Sequence, residues 1–364
     1  MSAAKHMKQS ATQGPAAQCP ARRRANDSLA EVLVGIALAV WVCGRLILVH
    51  SDVGMLPAMA EAKPMAYVQA LAFGCVVAGI AMRETRMDAV GFASLGLLLV
   101  TALTARTRLA DPSLLAFALM LAVSKDMRFS RLAMFGLTGI VGAVLLIEAL
   151  RVFPAEFAGA NRAALAYLHF ADNQVVPRLM LESLACLFLI VRKRLFLAPL
   201  FAGCILCAVV SAIRYDARRY ALLMLLLGVC VVVYAVRQNV LDSDARRTWV
   251  RRLVAAIPPL LCCVVYDCVA FYNLDFMGMN EGAYASLAQN YGLLALLLAT
   301  LLYVRTVFTL NECVATFPTW TVFALYALAL AFDANAMFVE MNLPLLLLSA
   351  GLGIGDSGGP SHAS

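Results

Sequence analysis

Five arginines in the middle of the chain, Arg162, Arg178, Arg214, Arg218 and Arg219, stand at or near the ends of apolar runs. Near them lie His169, Asp172 and Asn173, and further along Asp267, Asp275 and Glu281. A guanidinium is permanently charged and forks onto phosphate oxygens with two parallel hydrogen bonds, so a group of them suits a phosphate-type anion. A carboxylate or imidazole beside such an anion suits proton acceptance, which singles out Glu281, His169 and Asp172. His6 and His362 lie far from this stretch and His50 closes the first apolar run, leaving His169 as the histidine nearest the arginines. Each residue also has a plainer reading. Arg178 and Glu182, four apart, suit an ion pair on one helix face; His169 suits a membrane interface; Arg218 and Arg219 suit snorkelling to headgroups. Their concentration on one side of the membrane is what favours a shared site.

The elements that must position them are membrane helices. Of 364 residues, 63% are hydrophobic and only 14% charged. The mean hydropathy is +0.83. The apolar runs are continuous rather than alternating, which predicts an all-α polytopic helix bundle and excludes a soluble enzyme, a β-barrel and a disulfide-rich secreted domain. About twelve transmembrane helices are expected. The first six are Ala30 to His50, Met65 to Met82, Ala89 to Leu103, Pro112 to Val123, Leu132 to Leu150 and Gln174 to Val191. The second six are Leu195 to Ile213, Tyr220 to Val236, Leu253 to Phe271, Tyr284 to Val304, Ala315 to Phe332 and Ala336 to Gly353. Residues 1–28 are expected as a disordered cytoplasmic tail, 29–354 as the bundle and 355–364 as a flexible cytoplasmic tail. Most of the 29 Lys and Arg fall in alternate loops, including Arg83, Arg128, Lys193, Arg237 and Arg305. That bias predicts a multi-pass protein of the cytoplasmic membrane with its N-terminus in the cytoplasm. The formal charge of +7 is then a topology signal, and no nucleic-acid partner is expected.

Three motif matches fail on context. The tail Gly355-Asp356-Ser357-Gly358-Gly359-Pro360 spells the hexapeptide around the nucleophile of chymotrypsin-like proteases, yet a serine needs a base and an oxyanion cradle, and a tail beyond a membrane helix supplies neither. Asp242-Ser243-Asp244 resembles the metal-holding D-x-D of soluble glycosyltransferases, but the loop from Arg237 to Arg252 is too short for such a domain. Cys204 and Cys207 have C-x-x-C spacing without a second pair or a nearby histidine, and most of the 11 cysteines lie in spans, so neither a metal site nor a disulfide framework is expected.

Four segments together resemble the Wzy-type polysaccharide polymerases, the multispanning proteins of O-antigen, capsule and exopolysaccharide assembly. Arg162-Ala163-Ala164-Leu165-Ala166-Tyr167-Leu168-His169 leading to Asn173 is similar to the family's R-x-S-L-G-F-x-H-P-N, with alanine in place of Ser and Gly and two added residues before the Asn. Asp216-Ala217-Arg218-Arg219-Tyr220-Ala221-Leu222-Leu223 resembles S-R-T-A-L-L, with Arg219 on the Arg. Glu281-Gly282-Ala283-Tyr284 and then Tyr291-Gly292 resemble D-N-S-Y and Y-G, and Asn342 with Leu345 to Leu348 echoes a closing N-x-x-L-L-L-L. The resemblance implies polymerisation of undecaprenyl-pyrophosphate-linked oligosaccharide repeats at the outer face of the membrane. The implied partners are that lipid-linked glycan, membrane lipid, a flippase and a chain-length regulator. It implies Arg162 and Arg219 on the pyrophosphate, Arg214 or Arg178 as auxiliary, Glu281 or His169 as base, and Tyr284 and Asn173 positioning sugar. Arg218 and Asp172 complete the substrate-binding set, and the scheme requires no metal and no cofactor.

Other readings share the topology. An O-antigen-ligase-like transferase would change only the acceptor, and usually carries a larger outer loop than Tyr272 to Ala283. A flippase or other transporter would show charges at mid-depth and two related halves. A non-catalytic partner in glycan assembly is compatible with the altered Arg162 to Asn173 stretch.

Overall fold

The computed structural model describes residues 20–51, 63–82, 129–151, 172–191, 193–241, 244–266, 282–309 and 317–333, with the single residues 96, 170 and 341. Among these residues the protein is all-helical, without strands. Its helices are α1 (Pro20–Leu48), α2 (Pro64–Met82), α3 (Phe129–Arg151), α4 (Val175–Ile190), α5 (Leu197–Arg214), α6 (Arg218–Leu241), α7 (Asp244–Tyr266), α8 (Ala283–Tyr291), α9 (Leu293–Thr309) and α10 (Phe317–Phe332).

Four described segments are long and apolar enough to cross a membrane: Ser28–Leu48, Arg131–Ala149, Arg194–Arg214 and Arg218–Arg237. A stretch of 21 residues reaches about 30 Å, the thickness of a hydrocarbon core. Pro64–Gly79 and Phe317–Phe332 are apolar but shorter. The twelve-span expectation is therefore met in part. The expected spans Ala89 to Leu103, Pro112 to Val123 and Ala336 to Gly353 lie, apart from the single residues 96 and 341, outside the described residues. The tenth expected span, Tyr284 to Val304, is two helices. Gly292 has φ 87° and its N–H returns to the Ala288 carbonyl at 3.1 Å, ending α8 before α9 begins. A left-handed residue of this kind stops a helix, and glycine adopts it without steric cost. Helix α6 also breaks step at Arg237 (φ −119°, ψ 23°), where its apolar segment ends. Pro258 and Pro259 interrupt the hydrogen-bond ladder of α7.

Two groups of helices build the interior. Helix α1 packs between α2 and α3, with Trp41 fully buried and edge-on to Phe73. Small residues let the backbones meet there: a Cβ on Gly139 would stand 2.8 Å from the Ala39 carbonyl oxygen and 3.1 Å from its Cα. In lipid such close approach replaces the hydrophobic drive that water supplies. At one end of this pair Arg131 is bonded to Glu31 at 2.7 Å. Gly139→Val is expected to push α1 and α3 apart and destabilise the fold by about 1–3 kcal/mol, read as a lowered melting temperature of purified protein.

The second group is centred on α10, apolar all round and buried from Pro318 to Phe323, which contacts α4, α6, α7 and α8. A helix without a polar face belongs inside a bundle. The outward faces are apolar as well: Leu206 and Ile213 on α5, Val229 and Val236 on α6, and Leu145 on α3 are well exposed. Such a surface suits hydrocarbon rather than water, so the chain is read as a membrane protein.

Candidate functional site

Ends of six helices meet at one end of the bundle. Ser51, just after α1, forms an isolated bridge with Phe170. Asn173, before α4, donates from Nδ2 to the Tyr215 carbonyl after α5 at 3.1 Å. Helices α5 and α6 reverse sharply between Arg214 and Arg218. Asp216 takes a left-handed conformation (φ 50°) and the Ala217 N–H reaches back to the Ser211 carbonyl at 2.9 Å. Aspartate is among the few residues besides glycine that tolerate this region. The reversal mounts Arg214, Arg218 and Arg219 on one hairpin tip. Gly282, before α8, lies against the end of α10; a Cβ there would fall 2.1 Å from the Ala331 carbonyl oxygen. No side chain fits that gap, which explains glycine between Glu281 and Ala283.

At the centre of this meeting is a buried ionic group. Arg178 on α4 is 4% exposed, and its Nε donates to Asp333, the residue directly after α10, which is 5% exposed. The Tyr220 hydroxyl on α6 donates to the same Asp333 carboxylate and accepts from Arg178 Nε at 3.3 Å. Arg178 Nη1 donates to Asp172 Oδ2 at 2.9 Å, and Nη2 faces Gln174 Oε1 at 3.5 Å. One guanidinium thereby ties α4, α6 and the end of α10. Removing charges from water is costly unless they are paired and their remaining donors are used; here Nε, Nη1 and Nη2 each face an acceptor.

Aromatic rings carry the group outward. The Arg178 guanidinium carbon lies 5.8 Å from the Tyr220 ring centre, Tyr220 is edge-on to Phe332 at 5.8 Å, and Arg219 lies 5.9 Å from the Phe332 ring. Cation, ring, ring and cation thus follow one another from interior to rim. Arg219 is half-buried, and among the described residues no carboxylate pairs with it. Arg218 is exposed and bonded to the equally exposed Asp216 at 3.1 Å, while Arg214 is exposed at the last turn of α5. Burial pushes the Tyr215 phenol above its ordinary range, with Arg214 opposing, so Tyr215 stays neutral in this cationic setting.

The structure thus brings Arg178, Asp172, Asn173 and Arg219 to one end of the bundle, with Arg214 and Arg218 on the adjoining tip. Tyr284 is buried on α8 and its hydroxyl donates to the Ala327 carbonyl at 3.0 Å, a tether between α8 and α10. The expected Arg178–Glu182 pair is replaced by the bonds of Arg178 to Asp333 and Asp172; Glu182 is fully buried one turn deeper, near Tyr326 and Cys186. Arg162, His169 and Glu281, with Asp267 and Asp275, lie outside the described residues. Sequence reasoning missed Asp333, Tyr220 as a side-chain partner, and Phe332. The available signal was an acid placed directly at the end of an apolar run, where an ion needs a counter-ion.

No metal-binding group of three or more His, Cys, Asp or Glu occurs among the described residues. Comparison with family models, with curated proteins and with solved structures finds no match to this chain.

Proposed function

We propose that the chain polymerises lipid-linked oligosaccharide repeats at the membrane face where these helix ends open. In this reaction a hydroxyl oxygen of the incoming repeat attacks the anomeric carbon of the growing glycan, and the bond from that carbon to the pyrophosphate oxygen breaks. The hydroxyl proton passes to a base, and undecaprenyl pyrophosphate departs with the bonding electrons. The observation that carries the reading is Arg219: a half-buried guanidinium, seated on the Phe332 ring and unpaired with any described carboxylate, beside a frame whose own guanidinium is already engaged by two acids. Fixed positive charge in a partly dry setting stabilises a departing pyrophosphate without reorganisation. Arg162 joins Arg219 in this role, with Arg214 and Arg218 gathering the anion from the tip. The base is Glu281 or His169. Arg178 belongs to the frame as long as its donors are engaged by both Asp333 and Asp172. Tyr284 serves α8 rather than sugar, since its hydroxyl is held by Ala327.

A second reading, movement of the lipid-linked repeat across the membrane, draws on the buried Glu182 and Arg178–Asp333 group and on the helix broken at Gly292. Charges inside the bundle and discontinuous helices are features of transporters. Deletion of the gene and complementation separates the two. A polymerase deletion leaves single repeats on the cell surface, restored to long chains by the intact gene. Loss of all surface repeats, with accumulation on the cytoplasmic leaflet, would instead establish the transporter.

A further inference from the structure

We propose that the Asp172 carboxylate is an internal stand-in for a phosphoryl group: it occupies the outward edge of the Arg178 guanidinium and is displaced when a phosphorylated ligand binds. The inference deepens the reading above and rests on its premise that this end of the bundle receives a phosphorylated substrate.

Arg178 is held from behind by a buried acid and covered in front by a part-exposed one. Its Nε is fixed by Asp333, 5% exposed and also bonded by Tyr220, whereas Nη1 reaches Asp172, whose side chain is 41% exposed. The two carboxylates are therefore not equivalent. Pulling Asp333 away would strand a buried charge, while pulling Asp172 away breaks a pair that already shares its ligand with solvent. Asp172 is also built to leave. Its Oδ1 accepts the Gln174 N–H at 2.9 Å, which holds the turn before α4, and only Oδ2 touches Arg178. The turn can keep its bond while the guanidinium edge is vacated.

What replaces the carboxylate must match it. Nη1, vacated by Asp172, and Nη2, whose contact to Gln174 Oε1 is long at 3.5 Å, then present two parallel donors, and a phosphoryl group accepts both with more charge than a carboxylate brings. With Asp172 and Asp333 both in place, Arg178 is outnumbered by acids, so a further anion gains little until Asp172 withdraws. Arg219, two aromatic rings away, then provides the second cation for a ligand with more than one phosphoryl group. The ligand class is a phosphate or pyrophosphate ester, either a lipid headgroup or the free anion.

The test uses full-length protein in nanodiscs with two probes, inorganic pyrophosphate in solution and farnesyl pyrophosphate in the bilayer. Asp172→Asn keeps the Oδ1 acceptor for Gln174 and the size of the side chain but discards the charge. It is expected to bind about three- to tenfold more tightly than wild type, while Asp172→Glu binds like wild type. Tightening toward both probes identifies the headgroup alone as the ligand, and tightening toward farnesyl pyrophosphate only identifies a lipid source. Equal or weaker binding of both probes by Asp172→Asn, at unchanged melting temperature, overturns the proposal. Failure of the polymerase reading has its own signature: glycan chain length independent of the gene, with the Asp172→Asn tightening preserved.

Discussion

Arg219→Ala is expected to reduce surface glycan from long chains to single repeats while the protein still inserts at wild-type levels. Removal of one fixed donor aimed at developing negative charge typically lowers a rate by about 10²–10³-fold, enough to leave chains unextended over a generation. The fold should tolerate the change. Arg219 is half-buried at the rim, its described contact is the Phe332 ring at 5.9 Å, and a cation–ring contact at such a site contributes about 0.5–1 kcal/mol. Arg219→Lys retains the charge but loses the planar fork and most of the stacking on Phe332, so it should also shorten chains. Gel electrophoresis of extracted glycan, beside immunoblotting of membranes, checks both; full-length polymer from a correctly inserted Arg219→Ala protein would remove Arg219 from the site.

The largest effect on stability is expected at Asp333. Asp333→Ala leaves the Arg178 guanidinium, 4% exposed, with the neutral Tyr220 hydroxyl in place of a carboxylate at its Nε and the part-exposed Asp172 as counter-ion, and breaking a buried pair from one side costs about 3–5 kcal/mol. Arg178→Met removes the cation that faces the 5% exposed Asp333 carboxylate and is expected to cost a comparable amount. The double variant Arg178→Met/Asp333→Leu removes both charges and is expected to recover most of the loss, because paired buried ions contribute little net stability over well-packed apolar side chains. Tyr220 would lose its acceptor in the double variant, so adding Tyr220→Phe should recover more. Melting temperatures in a single detergent test the series. Losses in the single variants that simply add in the double would contradict a direct coupling across the 155 residues that separate Arg178 from Asp333 in sequence.

The sequence was most informative where one physical rule dominates. Length and continuous apolarity identified α1, α3, α5 and α6 as spans, and the structure starts and ends their apolar segments at charged residues such as Arg131, Arg194, Arg214, Arg218 and Arg237. Local chemistry also suggested that Arg214, Arg218 and Arg219 belong together, since the three residues from Tyr215 to Ala217 suffice for one reversal. What composition did not reveal is which long-range partner each ion takes. Helical spacing pointed Arg178 toward Glu182, four residues away, but Nε is aimed across the bundle at Asp333, and a helix face alone cannot rank a neighbour on the same helix against an acid brought in by another. The break at Gly292 was hidden for a related reason: averaged over a span-length window, the polar Gln289 and Asn290 at the end of α8 are outweighed by the leucines of α9, and hydropathy carries no information about φ. Gly282 was legible only as part of a motif, because its need for a bare Cα arises from Ala331, which chain topology brings near.

The proposed site joins the helix ends around Arg219 to the Arg178–Asp333 group and transfers glycan off a lipid pyrophosphate. Purified protein, reconstituted in liposomes with lipid-linked repeats as the sole glycan, tests it directly. A ladder of glycan lengths growing with time is expected, with one undecaprenyl pyrophosphate released per added repeat and no ladder from Arg219→Ala. Repeats that stay single with wild-type protein, whether or not they change leaflet, would contradict it.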